Sequence, residues 1–156
     1  MMKAQLLSGT KDDEYTYVLV FDKGDELIEN LKRFAEEHGV FACHFTAIGA
    51  FQRATLGYFD RDMKDYIKIP INEQVEVLSL VGDISGEYGK PKIHAHVVIG
   101  KRDGTAHGGH VLEAIVWPTL EVILEETPKH LGRKYDPETG LSLIDLEQSD
   151  SVQQES

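Results

Sequence analysis

Seven histidines lie in this 156-residue chain, and three of them stand at a spacing that can hold a metal ion. His94 and His96 are two apart in Ile93-His94-Ala95-His96-Val97, and Gly108-Gly109-His110 follows closely. Side chains alternate across a strand, so residues two apart share a face. His94 and His96 therefore emerge together, while Ile93, Ala95, Val97 and Ile99 turn to the core. A third imidazole from the neighbouring strand would complete a set of three neutral nitrogen donors with an open fourth position. That set suits a divalent metal that accepts an outside ligand, zinc first, although nickel, iron and manganese take the same donors.

Register decides whether His110 can join. Asp103-Gly104 signals a hairpin between the two histidine segments. A plain two-residue turn there pairs Arg102 with Thr105, and the continuing ladder sets His110 opposite Val97, on the wrong side. The site thus requires a bulge or an odd-numbered turn between Gly104 and His110. Gly108-Gly109 is a place for a bulge, because glycine tolerates a positive φ. A three-residue turn shifts the parity equally well.

The other histidines read differently. His38 falls at a helix end, where the dipole favours a cation. His107 falls in the turn and His130 in a polar connection. His44, on an apolar strand, reads as a satisfied core histidine or as a group supporting the ligands from behind. Two histidines on one strand face can also be a solvated or hydrogen-bonded polar pair, so spacing alone leaves metal and no metal both open. Glu113 points away from the site once the register shifts, so it is not assigned as a general base. No Gly-x-Ser-x-Gly elbow, phosphate-cradling glycine loop or cysteine pair is present.

The elements that must carry these residues are mostly strands. Residues 15–21 are aromatic and β-branched, which predicts a buried strand. Leu27, Ile28, Leu31, Phe34 and Ala35 recur at helical spacing, which predicts one main helix over about 25–38, capped by Asp25 and closed by Gly39. Strands are expected at 40–48, 51–60, 66–71, 73–84, 92–99, 110–117, 120–125 and 141–146. Gly49-Ala50 reads as a break and Pro118 as a bend. This is an α+β class with a central, mostly antiparallel sheet and minor helical turns. One domain over 1–146 is expected, followed by a polar acidic tail at 147–156 without periodicity, read as disordered.

Apolar residues make up 41% of the chain and charged ones 28%, as in an ordinary globular protein. No apolar run approaches the roughly 18 residues of a membrane span. The N-terminal run is too short for a secretory signal, and Cys43 stands alone in an apolar segment, so a buried thiol and a cytoplasmic location are expected. The net charge is −11, with four acids and no bases from Asp145 onward. Lys90, Lys92, Lys101-Arg102 and Arg133-Lys134 are scattered rather than striped. Phosphate contact calls for a basic face, so direct DNA binding has no support here.

At these residues the chain resembles the plants-and-prokaryotes conserved domain, the PPC domain. The matching segments run in order over roughly 15–143. They are Tyr17-Val18-Leu19-Val20-Phe21-Asp22-Lys23-Gly24-Asp25-Glu26-Leu27, Phe45-Thr46-Ala47-Ile48-Gly49-Ala50 and Ala54-Thr55-Leu56-Gly57-Tyr58-Phe59. Then come Glu76 through Ser85, His94-Ala95-His96, Gly108-Gly109-His110-Val111-Leu112 and Glu121-Val122. In plant proteins this domain follows AT-hooks. No Arg-Gly-Arg hook occurs here, so the likeness is to the stand-alone prokaryotic form. The resemblance implies a homotrimer and a metal site on His94, His96 and His110. Its fold is similar to that of acetolactate decarboxylase, a three-histidine zinc enzyme. Prokaryotic members are often called DNA-binding by analogy with the plant proteins, but that label rests on the missing hooks. Two functions follow as expectations. One is a trimeric metal-binding regulatory module acting through protein partners. The other is a metal-dependent enzyme, a lyase or hydrolase, on a small oxo- or hydroxy-acid.

Overall fold

The computed structural model describes residues 1–9, 14–127 and 130–151. Nine strands and two helices follow one another among the described residues. They are β1 (Lys3–Gly9), β2 (Tyr15–Phe21), α1 (Leu27–His38), β3 (Ala42–Asp60), β4 (Asp65–Ile71) and β5 (Val75–Glu87). Then come β6 (Lys90–Gly100), β7 (Ala106–Glu126), β8 (Gly132–Asp136), β9 (Leu141–Asp145) and α2 (Leu146–Ser151). The α+β class and the mostly antiparallel sheet are as the pattern predicts. Among the described residues a single parallel pair, Gly86 with Gly132, joins β8 to β5. No helix among the described residues is long and apolar enough to cross a membrane.

Four strands close on themselves. β3 pairs with β5 and β7, and β6 pairs with β5 and β7. β1 and β2 extend the sheet beyond β7, and β4 lies along the far end of β3. Directly paired residues point to the same side, so each cross-strand row belongs to one face. The row Leu19, Val122, Ala47, Leu80 and Val97 is buried throughout. The row Thr16, Glu125, His44, Asp83 and His94 faces outward. So does the row Val18, Ile123, Thr46, Val81, His96 and His110. Alternation in the sequence thus separates the core from the histidine-bearing face.

Helix α1 buries Leu27, Leu31, Phe34 and Ala35. Its N-cap is Glu26, not Asp25: the Glu26 carboxylate accepts the Glu29 N–H at 2.7 Å and, through its other oxygen, the Ala114 N–H at 3.0 Å. One side chain therefore caps the helix and ties it to β7. Asp25 instead accepts the Asp22 N–H and closes the preceding turn. Gly39, at φ 69°, closes the helix as expected.

The expected break at Gly49-Ala50 is absent, and the strand continues through the expected bend at Pro118. β3 runs through Gly49 and β7 through Pro118. At Gly49 a Cβ would lie 2.3 Å from the Thr119 carbonyl oxygen, so glycine lets the two strands cross closely where the register shifts between Gly49 and Phe51. A bulge, not a chain break, absorbs both turn-forming residues. β1 and β8 had no signal in the sequence pattern. Residues 147–151 of the acidic tail are helical, with the Asp145 carboxylate accepting the Glu147 N–H. The remainder, 152–156, lies outside the described residues.

Candidate metal centre

The β6–β7 hairpin sets the register that the histidines need. Pairing runs without interruption from Gly100 and Ala106 to His96 and His110. The Lys101 N–H donates to the Thr105 carbonyl at 2.8 Å, which leaves Arg102, Asp103 and Gly104 as a three-residue turn. Gly104, at φ 83°, supplies the left-handed residue this turn uses. The Asp103 carboxylate accepts both the N–H and the hydroxyl of Thr105, which fixes the turn. The odd turn therefore does what the sequence requires, and Gly108-Gly109 holds no bulge. Those glycines serve approach instead: a Cβ on Gly109 would lie 2.9 Å from the Gly57 carbonyl oxygen, and one on Gly108 3.0 Å from that of Val97.

One ring nitrogen from each of His94, His96 and His110 lies within 4.8 Å of the others. The Nε2 atoms of His94 and His96 are 3.2 Å apart. Donors sharing one zinc at 2.0–2.1 Å stand about 3.3 Å from one another, so this pair already has the right separation. The Tyr66 ring stacks on His110, centroids 4.5 Å apart, and Gly57 leaves room for it. Burial lowers the His110 pKa to about 4, helped by its two histidine neighbours. Burial, then His94, lowers that of His96. Both rings are neutral at neutral pH and offer lone pairs, as ligation requires.

The residues fit a cation on a further ground. His110 Nδ1 is a buried side-chain atom without a hydrogen-bond partner among the described residues, a costly arrangement that an ion bound at that nitrogen would relieve. A cavity of about 560 Å³ opens beside the cluster, walled by Tyr58, Phe59, Tyr66, Val81, Val98 and Leu141. An ion there would be held by three imidazoles and would face this largely apolar space with its remaining position.

Two groups that the sequence did not single out stand behind His94. Asp83 pairs with it across the β5–β6 ladder, and Asp83 Oδ2 lies 3.6 Å from His94 Nδ1. The Arg133 Nη2 donates to Asp83 Oδ1 at 2.8 Å. Burial pushes the Asp83 carboxyl up, but His94 beside it and the Arg133 hydrogen bond and charge outweigh this, and the net shift is downward. Asp83 falls inside the expected strand 73–84, and its position across from His94 was the available signal.

The remaining histidines stand apart from the cluster. His44 is exposed, not in the core, because it alternates with Cys43 and Phe45; it meets Glu125 at 3.1 Å. His38 bonds the Phe34 carbonyl at the helix end, and His130 stacks on Phe41. His107 pairs with Ile99 on β7, beyond the turn. Glu113 is committed to Arg53 at 3.0 Å. Cys43 is buried, as expected, and burial pushes its thiol up to about 12.

Fold and site define a small α+β domain that carries a three-imidazole cluster on the outer face of a closed sheet. The chain belongs to the Plants and Prokaryotes Conserved domain family, whose pattern matches residues 9–128. Among solved structures it is similar to a metal-containing protein from Archaeoglobus fulgidus, at 34% identity and a TM-score of 0.78, over 93% of this chain and 98% of that one. It is also similar to a plant- and prokaryote-conserved protein from Pyrococcus horikoshii, at 30% identity and a TM-score of 0.79, over 92% and 94% of the two chains. A candidate DNA-binding protein from Bacteroides thetaiotaomicron aligns at 28% identity and a TM-score of 0.83, over 92% and 98%. No curated protein matches the chain.

Proposed function

We propose that this protein holds a divalent ion, zinc by its donor set, at His94, His96 and His110. In this reading it works as a homotrimeric regulatory module through protein partners in the cytoplasm. The observation that carries the metal is the convergence of three imidazoles, one with a buried and partnerless nitrogen. Trimer formation is supported by the outward face, where Ile48, Leu78, Val81, Val98 and Ile123 are all at least 40% exposed. A patch of this kind on a charged chain marks a contact surface. The charge of −11 and the scattered bases speak against direct DNA contact. A gel shift at physiological salt should show no retardation of duplex DNA.

A second reading is a metal-dependent lyase or hydrolase on a small oxo- or hydroxy-acid, favoured by the cavity beside the cluster. When bound, the metal would polarise a carbonyl or activate water. No carboxylate lines that cavity among the described residues, and Asp83 is engaged by Arg133, so a general base is missing. The regulatory reading therefore stands first.

Elemental analysis of protein purified without a histidine tag tests the metal. About one equivalent per chain is expected, with loss in both His94→Ala and His110→Ala. Retention of metal by both variants would sink the assignment. Sedimentation should give three times the 17.5 kDa chain mass, and a monomer would refute the trimer.

A further inference from the structure

We propose that Asp83 and Arg133 form a positioning clamp on His94, with Arg133 delivered by the C-terminal hairpin β8–β9 from beyond the family-matching segment. The inference rests on reading the three histidines as metal ligands and deepens it.

An imidazole ligates through one nitrogen and must keep its proton on the other. A carboxylate at the second nitrogen settles which is which and holds the ring plane. His94 presents Nε2 to His96 and turns Nδ1 toward Asp83. The 3.6 Å separation is an ion-pair distance, longer than a hydrogen bond. Asp83 has little freedom to drift. Its Oδ1 is fixed by Arg133, and the two strands keep Asp83 and His94 paired.

Arg133 is itself 8% exposed and fully engaged. Its Nε donates to the Ser85 hydroxyl at 2.5 Å and its Nη1 to the Ser142 carbonyl at 2.8 Å, while Nη2 serves Asp83. Three nitrogens spent on three fixed acceptors make a rigid charge, not a roaming surface cation. The family pattern ends at residue 128, so this arginine lies beyond the matched residues. The same hairpin places Leu141 in the wall of the cavity. It is held down at its tip, where the Lys64 ammonium donates to the Pro137 carbonyl at 2.8 Å.

A purely structural role for Arg133 would anchor the hairpin and leave His94 indifferent. Asp83→Asn separates the two, because asparagine keeps an oxygen for Arg133 but loses the charge that holds a proton on Nδ1. The experiment has two arms. Long-range proton–nitrogen correlation on ¹⁵N-histidine protein without metal reads the His94 tautomer. Zinc affinity is read by competition with a chromophoric chelator. The expected wild-type result is His94 protonated on Nδ1, with zinc bound. Asp83→Asn and Arg133→Met should lose that tautomer and weaken zinc by roughly 10–100-fold. Arg133→Lys should lie between, and the melting temperature of metal-free Asp83→Asn should be little changed. A wild-type His94 protonated on Nε2, or Asp83→Asn binding zinc as tightly as wild type, overturns the clamp alone. A wild-type protein that binds no zinc overturns both the metal reading and the clamp. Should Arg133→Met fail to fold, the wild-type tautomer and Asp83→Asn still decide.

Discussion

Two hairpins meet at the histidine cluster and hold it by different means. The β6–β7 hairpin is built into the closed sheet, with an unbroken ladder from the turn to His96 and His110. The β8–β9 hairpin touches the sheet backbone at one parallel pair and otherwise leans on side chains: Arg133, Lys64 and the hydroxyls of Ser85 and Ser149. The first sets where the three histidines stand, by backbone geometry that tolerates no half-measures. The second sets how one ligand is turned, by charges that can be changed singly. A site of this kind separates position from orientation, and the two can be broken separately.

The largest break should come from the ladder. At Gly82 a Cβ would lie 2.6 Å from the His94 carbonyl oxygen and 2.4 Å from the Phe45 ring, and Phe45 is buried in the core. Gly82→Ala should cost about 1–3 kcal/mol, the range for overpacking, and displace β6 with its two histidines. Denaturant unfolding and zinc titration should therefore fall together. A variant that loses stability but keeps full affinity would show that the ladder does not set ligand position.

Next in size is removal of the second hairpin. A chain ended after Leu131 keeps the whole closed ring, so it should fold and bind zinc roughly 10–100-fold more weakly. Unchanged affinity would reduce the hairpin to a cover.

The second hairpin should also loosen in acid. A hydrogen bond from Ser142 holds the Glu87 carboxyl below its ordinary 4.5, with Lys92 adding to this against burial. A depressed folded pKa means the bond's contribution is complete above about 4.5 and fades as pH falls through the lower folded value. Amide protection in β8 and β9 should drop below pH 4.5 before that of β6 and β7, and Glu87→Gln should flatten the difference. Simultaneous loss in both hairpins would contradict the separation. The smallest effect is expected at Cys43, whose burial and raised thiol pKa should leave it unreactive to a thiol reagent at pH 8 until the ring unfolds.

Much of the first hairpin was legible in the sequence, and little of the second. His94 and His96 share a face because strands alternate, and the need for a bulge or an odd turn followed from counting residues. β2 and α1 declared themselves through apolar runs and helical spacing. β1 gave no such sign because all seven of its residues are exposed. β3 and β7 looked interrupted because glycine and proline usually mark turns, whereas here bulges carry the strands past them. Arg133 looked like one more scattered base. Nothing local distinguishes an arginine that reaches 50 residues back to Asp83 from one in water. Its role exists only once β8 lies beside β5.

The closed ring has a consequence for time as well as for shape. Edge strands fray first, and many ligand sites exchange their contents through such openings. β6 pairs with β5 along its length and with β7 from His96 onward, so His96 cannot swing out without opening the ring. An ion bound to His96 would then be released by breaking its coordination bonds one at a time, with the strand still in place. Its residence time is then set by ligand chemistry rather than by the breathing of the chain.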